Sequence, residues 1–162
     1  MRYLFRTLWF LIPGALLPFA TFAQGPSSCF NALPLCQTTF TQPVGPIDVP
    51  PNLQVVNNDL SCLGQGEKRA QWYIFTAQTS GDVCFAITPV IGSDDYDYAV
   101  YNLTNADCGA IGADPSLEVS CNYSANLGCG GVTGPTGQNL PGNPCGGQVE
   151  SCIPVQAGET YA

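Results

Sequence analysis

The densest group of chemically active side chains in this sequence is an acidic run at the start of a predicted strand. Three carboxylates, Asp94, Asp95 and Asp97, fall within four residues. Like charges this close repel one another unless a cation or hydrogen-bond donors offset them. Calcium takes roughly six to eight oxygen ligands, so a calcium site is one interpretation of the run. A solvated acidic turn that binds nothing is the other.

Glu67 is the fourth candidate calcium ligand. It lies in the loop just before the strand predicted around Trp72, and two strand entries can meet at one end of a β-sandwich. Alternation along the acidic strand places Asp97 on the face of Ala99 and Tyr101, where its carboxylate would be partly buried. A buried carboxylate needs a cation or several donors. Backbone N–H groups and tyrosine hydroxyls are the alternative to calcium.

The first 23 residues have the pattern of a secretory signal peptide. Arg2 and Arg6 precede an apolar stretch at 8–22, and small residues flank the cleavage site predicted after Ala23. Prolines interrupt the stretch and no positive charge follows it, which disfavours a transmembrane anchor. We therefore expect a secreted or cell-surface protein, with residues 24–162 as one domain that does not insert into the membrane after cleavage.

The charge of the predicted mature chain limits its partners. Only Lys68 and Arg69 remain as basic residues against all twelve acidic ones, a formal net charge of −10. Such an acidic surface repels phosphate groups, which disfavours nucleic acid and anionic membranes. Extracellular polysaccharides and other surface proteins remain as candidate partners.

All nine cysteines follow the predicted signal peptide, which indicates disulfide bonds formed after export. Zinc is the competing interpretation, but it needs closely spaced cysteine pairs or histidines, and the sequence contains neither. Short loops with turn residues predict two of the pairs, Cys29 with Cys36 and Cys108 with Cys121.

The remaining cysteines are less constrained by the sequence. Cys129, Cys145 and Cys152 share a glycine-rich segment, so two of these three are expected to pair. Cys62 and Cys84 are left unassigned, and Cys84 is a candidate for a buried free thiol. Because nine is an odd number, one thiol is unpaired or has its partner outside this chain.

The sequence patterns between the cysteines and the acidic run are mostly those typical of β-strands. Residues 71–77 are β-branched and aromatic, and residues 83–88 alternate, with a turn between them that predicts a β-hairpin. Further strands are predicted at 96–103 and 117–123. The only helix expected after residue 24 is a single turn near Asn31.

Short strands joined by turns and loops predict an all-β sandwich that disulfides staple together. Residues 124–151 are rich in glycine and predict a long surface loop. The sequence stops as a new strand begins, so we expect 24–162 to be a C-terminally truncated fragment that lacks its last strands and exposes a strand edge. The expected core residues are Trp72, Phe75, Phe85, Ile87, Val100, Leu103 and Val119.

Six short segments occur in an order that indicates a family. They are CFNALPLC at 29–36, NNDLSCL at 57–63, WYIFT at 72–76, GDVCFAITP at 81–89, DDYD at 94–97 with YNLT at 101–104, and VSCNY at 119–123. This order resembles the N-terminal β-sandwich modules of large secreted surface proteins from gliding bacteria with type IX secretion. Those modules are related to the bacterial pre-peptidase C-terminal domain. The resemblance covers nearly all of residues 24–162 and implies a jelly-roll-like antiparallel sandwich that continues past Ala162.

The sequence disfavours an enzyme. It has no histidine for a Ser-His-Asp triad and no Gly-x-Ser-x-Gly elbow. The three aspartates lie at one strand end, without a separate second carboxylate for a glycosidase pair. The glycine-rich segment lacks the Lys-Ser/Thr of a phosphate-binding loop.

Two classes of non-catalytic function remain. The chain is expected to be an accessory, adhesion or spacer module, and the alternative is a carbohydrate-binding module attached to a downstream secreted hydrolase or protease. Trp72, Tyr96, Tyr98 and Tyr101 could stack on sugars, although aromatic residues that alternate along strands more often pack in a core. A spacer would bind no polysaccharide, which separates the two.

Overall fold

The computed structural model describes residues 27–42, 45, 47–48, 54–57, 59–64, 67, 69–124, 131–137 and 149–162. The predicted signal peptide at 1–23, Cys129 and Cys145 lie outside this part of the chain. The described residues are all-β, as predicted, and their helices are single 3₁₀ turns, including Cys29–Asn31 at the predicted position, Cys108–Ala110 and Pro115–Leu117. The strands are β1 (Leu33–Pro34), β2 (Ile47–Asp48), β3 (Arg69–Ala70), β4 (Tyr73–Thr76), β5 (Gly81–Val83), β6 (Tyr98–Tyr101), β7 (Glu118–Asn122), β8 (Ile153–Val155) and β9 (Thr160–Tyr161).

The strands pair mostly with distant partners. β4 lies between β1, which is parallel to it, and β9, which is antiparallel. Pro34 has no N–H to donate, and β1 is accordingly an edge strand of this sheet. The antiparallel pairs β2–β3, β5–β8 and β6–β7 complete the described pairings of named strands. Several antiparallel strand pairs are therefore present among the described residues.

The predicted hairpin between residues 71–77 and 83–88 is wrong. β4 and β5 follow each other in the chain, yet β5 pairs with β8 and β4 with β1 and β9. The reason lies in the C-terminal residues. Ile153 and Val155 of β8 are buried apolar residues that take the position beside β5, and burying them gains more than a local hairpin would.

The core consists of two apolar clusters, and β6 contributes to both. Tyr98 and Val100 pack in the first cluster, which also contains Ile153, Val155 and Tyr161. The intervening residues face the other way by strand alternation. Tyr101 belongs to the second cluster, centred on Trp72, Leu103 and Ile111, and Ala99 packs against it. Both faces of β6 are therefore buried.

Most of the predicted core residues are confirmed. Trp72, Val100 and Leu103 are buried, and Phe75, Phe85 and Ile87 pack half-buried against the first cluster. Val119 is wrong, because 42% of it remains exposed on β7. Val119 and Asn122 are three residues apart in β7, so strand alternation places them on opposite faces. Asn122 is on the buried face, and Val119 is therefore on the exposed one.

The prediction of a surface loop at 124–151 is wrong for the segment 131–137. Thr133 is 1% exposed and forms antiparallel backbone hydrogen bonds with Ile87. Gly134 forms a parallel bridge with Val149, and the Glu150 N–H donates to its carbonyl at 3.1 Å. Glycine and proline here allow close backbone packing.

Three disulfide bonds link distant segments of the described chain: Cys29–Cys108, Cys62–Cys121 and Cys84–Cys152. Their sequence separations are 79, 59 and 68 residues. In chain order the first of these six cysteines joins the fourth, the second the fifth and the third the sixth, so the three closed loops overlap. On the chain-entropy account, each long loop stabilises the fold by about 4 kcal/mol.

The predicted pairs Cys29–Cys36 and Cys108–Cys121 are wrong. Cys29 is buried in the second cluster, where Cys108 meets it, whereas β1 runs beside β4 and carries Cys36 to the exposed surface. Cys121 lies in β7 and binds Cys62 instead. A loop-length argument favours neighbours in sequence, but packing decides which sulfur atoms meet.

The remaining cysteine predictions need correction too. Cys84 is not a buried free thiol, since it is exposed and bonded to Cys152. Among the described cysteines, Cys36 alone is free. It was expected to form a disulfide, as were Cys129 and Cys145, which the described residues do not include.

Candidate functional site

Glu67, the fourth predicted calcium ligand, is a buried structural carboxylate. It is 5% exposed. Its Oε2 accepts hydrogen bonds from the N–H groups of Val55 at 2.5 Å and Val56 at 2.9 Å, and its Oε1 accepts one from Trp72 Nε1 at 2.7 Å. Three donors stabilise the buried carboxylate group. Glu67 is therefore stabilised by donors from the protein, the same explanation that was offered above as the alternative to calcium at Asp97.

The three aspartates lie on the surface before β6. Asp95 and Asp97 are exposed and Asp94 is half-buried. Partial desolvation, and then the charge of Asp95, raise the pKa of Asp97. The backbone is held closely at this point, because a Cβ on Gly131 would lie 2.5 Å from the carbonyl oxygen of Asp94.

The structure does not bring the predicted calcium ligands together. Among the described residues, the only group of three carboxylate or sulfur ligands within 4.8 Å of one another is Cys62, Glu118 and Cys121. No three of Asp94, Asp95, Asp97 and Glu67 meet that distance. Calcium at the acidic run stays a prediction, without Glu67 as an evident part of the site.

The aromatic residues considered for sugar stacking are mostly in the core. Trp72 and Tyr101 are buried and stack on each other with ring centroids 5.9 Å apart. Tyr98 is 6% exposed and meets Phe85 edge to face at 5.8 Å. Burial raises the pKa of Tyr98 to about 12. Only Tyr96, which is half-buried, keeps part of its surface accessible.

An open groove lies between the end of β1 and the end of β4. Its volume is about 670 Å³. Residues 34–38 line one side of it and residues 74–76 with Gln78 the other. Side chains of two kinds line the groove, apolar ones and neutral hydrogen-bonding ones: Pro34, Leu35, Cys36, Gln37, Thr38, Ile74, Phe75, Thr76 and Gln78. The sequence offered no signal for it, because the groove depends on where two distant segments separate.

Like Glu67, Glu118 at the start of β7 is the centre of a group of hydrogen bonds. Its Oε2 accepts hydrogen bonds from Ser61 Oγ at 2.5 Å and from the Tyr101 hydroxyl at 3.1 Å. Its Oε1 accepts one from the Cys62 N–H at 3.2 Å. Burial chiefly raises the pKa of Tyr101, so its hydroxyl keeps its proton and donates. This cluster lies beside the Cys62–Cys121 disulfide.

Comparison with known proteins adds no assignment: no protein family, no curated protein and no solved structure matches this chain. None of the helices in the described ranges is long and apolar enough to cross a membrane. Three disulfide bonds are typical of proteins that mature in an oxidising compartment. Function must therefore be argued from the molecule itself.

Proposed function

We propose that the chain is a non-catalytic module of a secreted or cell-surface bacterial protein, acting as an accessory, adhesion or spacer domain. The observation that carries this proposal is the disulfide framework. Strands of two to five residues are too short to be stable alone, and three overlapping disulfides hold them together. Such frameworks suit small domains that work outside the cell. A jelly-roll-like sandwich and export by residues 1–23 are parts of the same proposal.

The polar clusters support a structural role over a catalytic one. Among the described residues, the Ser61 hydroxyl donates to Glu118, a contact that an activated nucleophile would also make. That carboxylate also accepts from the Cys62 N–H and the Tyr101 hydroxyl, and Ser61 Oγ itself accepts from the Leu63 N–H. These bonds fix a loop onto β7. They leave the hydroxyl without the separate base and orienting group that a triad needs.

The groove favours one alternative, a carbohydrate-binding module attached to a secreted hydrolase or protease. The neutral polar residues Gln37, Thr38, Thr76 and Gln78 line it, together with Leu35, Ile74 and Phe75. Neutral donors and acceptors around an apolar surface are suited to a sugar. The role then rests on the groove, because Trp72, Tyr98 and Tyr101 are buried and Tyr96 is half-buried.

Affinity electrophoresis in gels containing neutral or acidic polysaccharides separates the two functions. A spacer migrates at the same rate with and without polysaccharide. A carbohydrate-binding module is retarded, and Gln78→Ala should abolish the retardation while Gln156→Ala, at an exposed glutamine outside the groove, should not. Retardation of the parent with loss only in Gln78→Ala would replace the spacer proposal by the alternative.

A further inference from the structure

The Cys62–Cys121 disulfide differs from the other two in having a carboxylate beside it. One ligand atom from each of Cys62, Glu118 and Cys121 lies within 4.8 Å of the other two. Within the part of the chain that the structure describes, neither Cys29–Cys108 nor Cys84–Cys152 belongs to such a group. The disulfide is also reachable, because Cys62 is exposed, while Glu118 and Cys121 are half-buried.

Glu118 is already held in place by its neighbours. Ser61 Oγ and the Tyr101 hydroxyl both donate to its Oε2, whereas its Oε1 receives one bond from the residues that the structure describes, that of the Cys62 N–H. A carboxylate oxygen accepts about two hydrogen bonds, so Oε1 keeps a free lone pair. Hydrogen bonds of this kind orient a carboxylate ligand for a metal.

We propose that reduction of the Cys62–Cys121 disulfide creates a zinc site, with two thiolates and the Glu118 carboxylate as protein ligands. Zinc prefers sulfur ligands at about 2.3 Å and carboxylate oxygens at about 2.0–2.2 Å, in a tetrahedron. Two sulfur atoms on one zinc ion are then about 3.8 Å apart. The Cα atoms of the two cysteines are 6.1 Å apart, which allows the sulfurs to separate to that distance. Water takes the fourth position.

The chemistry balances with a thiol reductant. Two thiol molecules break the S–S bond of Cys62–Cys121 and become one disulfide, while the two protein sulfurs gain two electrons and two protons. Zinc then displaces one proton from each protein thiol. Three negative ligands on Zn²⁺ leave a net charge of −1 at the site, and the donors around Glu118 offset part of it.

The sequence does not reveal this site because its two cysteines are 59 residues apart. The usual zinc pattern has cysteines two to four residues apart, roughly, and that pattern was the ground on which zinc was disfavoured. Here the β7 strand and the loop at 59–64 bring the ligands together through the fold. In the oxidised protein Cys62 and Cys121 offer no thiolate, so this site should bind no zinc.

Zinc titration of oxidised and reduced protein tests the proposal. Reduction uses a water-soluble phosphine, which becomes its oxide and adds no competing thiol, and cobalt(II) serves as a spectroscopic probe for thiolate ligands. The reduced parent should bind one more equivalent of zinc than the reduced Cys62→Ser/Cys121→Ser double variant. The matched Cys84→Ser/Cys152→Ser variant should keep that equivalent. Equal zinc binding by the reduced parent and Cys62→Ser/Cys121→Ser would overturn the proposal.

Substitution of the carboxylate tests the third ligand without disturbing any disulfide. Glu118→Gln should weaken zinc binding to the reduced protein by about tenfold or more, since even outer hydrogen-bond partners contribute that much. Glu150→Gln, at a half-buried carboxylate bonded to Asn122, should leave zinc affinity unchanged. Unchanged affinity in Glu118→Gln would remove the carboxylate from the site. A reduced chain that loses its circular dichroism and does not recover it with one equivalent of zinc would also overturn the proposal.

Discussion

At the scale of single residues, Glu67 illustrates how a carboxylate that looks like a ligand serves the fold instead. Acidic residues before strands are reasonable calcium candidates, and the sequence does not distinguish a carboxylate that faces solvent from one that is buried. Glu67 is buried because three donors from Val55, Val56 and Trp72 converge on it. It therefore ties the segment at 54–57 to the second core cluster.

Glu67→Ala should destabilise the protein by about 3 kcal/mol, because it leaves three donors without an acceptor, including the buried Trp72 Nε1–H. Urea denaturation followed by tryptophan fluorescence measures the change. Asp48→Asn is the matched control, since Asp48 is exposed and its contact with Arg69 is 4.0 Å long, and it should change stability by less than about 0.5 kcal/mol. Equal effects of the two substitutions would refute the structural role of Glu67.

Asp97 should make stability fall as the pH rises. Its pKa is raised in the folded protein, so between the unfolded and folded pKa values the native state binds more protons than the unfolded state. Ionisation in that window costs stability. Asp97→Asn should therefore melt at a higher temperature than the parent at about pH 7, and the difference should vanish near pH 3. A variant that melts lower at neutral pH would contradict the assigned cause.

On the interpretation of the acidic run as a solvated turn that binds nothing, calcium should not change the melting temperature. Glu67 is occupied by protein donors, and no three of the predicted ligands lie within 4.8 Å of one another. Melts in millimolar calcium and in chelator are the comparison. Stabilisation by calcium that disappears in Asp95→Asn/Asp97→Asn would instead establish the calcium site at the acidic run.

At the scale of elements, local signals located strands but not their partners. β4, β6 and β7 lie inside the predicted segments 71–77, 96–103 and 117–123, because alternation and β-branched residues are readable within one strand. The partner of β5 was not predictable, because Ile153 and Val155 compete for that position from far along the chain. The predicted disulfides Cys29–Cys36 and Cys108–Cys121 failed for the same reason.

The segment at 131–137, which is buried at Gly131 and at 133–135, requires glycine at position 134. Gly134 has φ of +133°, and a Cβ there would lie 2.5 Å from the Phe85 carbonyl oxygen. Both conditions exclude a side chain, since other residues rarely adopt this φ and the contact is with backbone. The glycine-rich composition that predicted a loose surface loop is thus a requirement of close packing.

Gly134→Ala should destabilise the fold by about 2 to 4 kcal/mol, of which about 1 kcal/mol is backbone strain and the rest is overpacking against Phe85. Gly158→Ala separates these effects, because Gly158 has φ of +90° but no atom within 4 Å of its Cβ position. It should cost only the strain. Thermal denaturation of the two variants measures both terms, and equal losses would show that the segment does not pack as described.

At the scale of the whole molecule, the described residues bury two modest clusters, and disulfide bonds join segments that are far apart in the sequence. β9 illustrates the integration: Tyr161 is 2% exposed and stacks on Phe75, and Ala162 exchanges backbone hydrogen bonds with Tyr101. The all-β class was predictable because every local signal agreed on it. The arrangement of strands was not, because nearly every pairing joins residues far apart in the sequence.

The overlapping disulfides also determine how the molecule would respond to tension. A pulling force applied between Cys29 and Cys152 passes from Cys29 to Cys108, back along the chain to Cys84, and across to Cys152. Only about 24 residues can stretch along that path, about 80 Å, whereas the reduced chain would extend over about 123 residues, or about 420 Å. Single-molecule pulling with and without reductant measures the two lengths. A module built this way would transmit load between its ends with little elongation, even after every strand has separated.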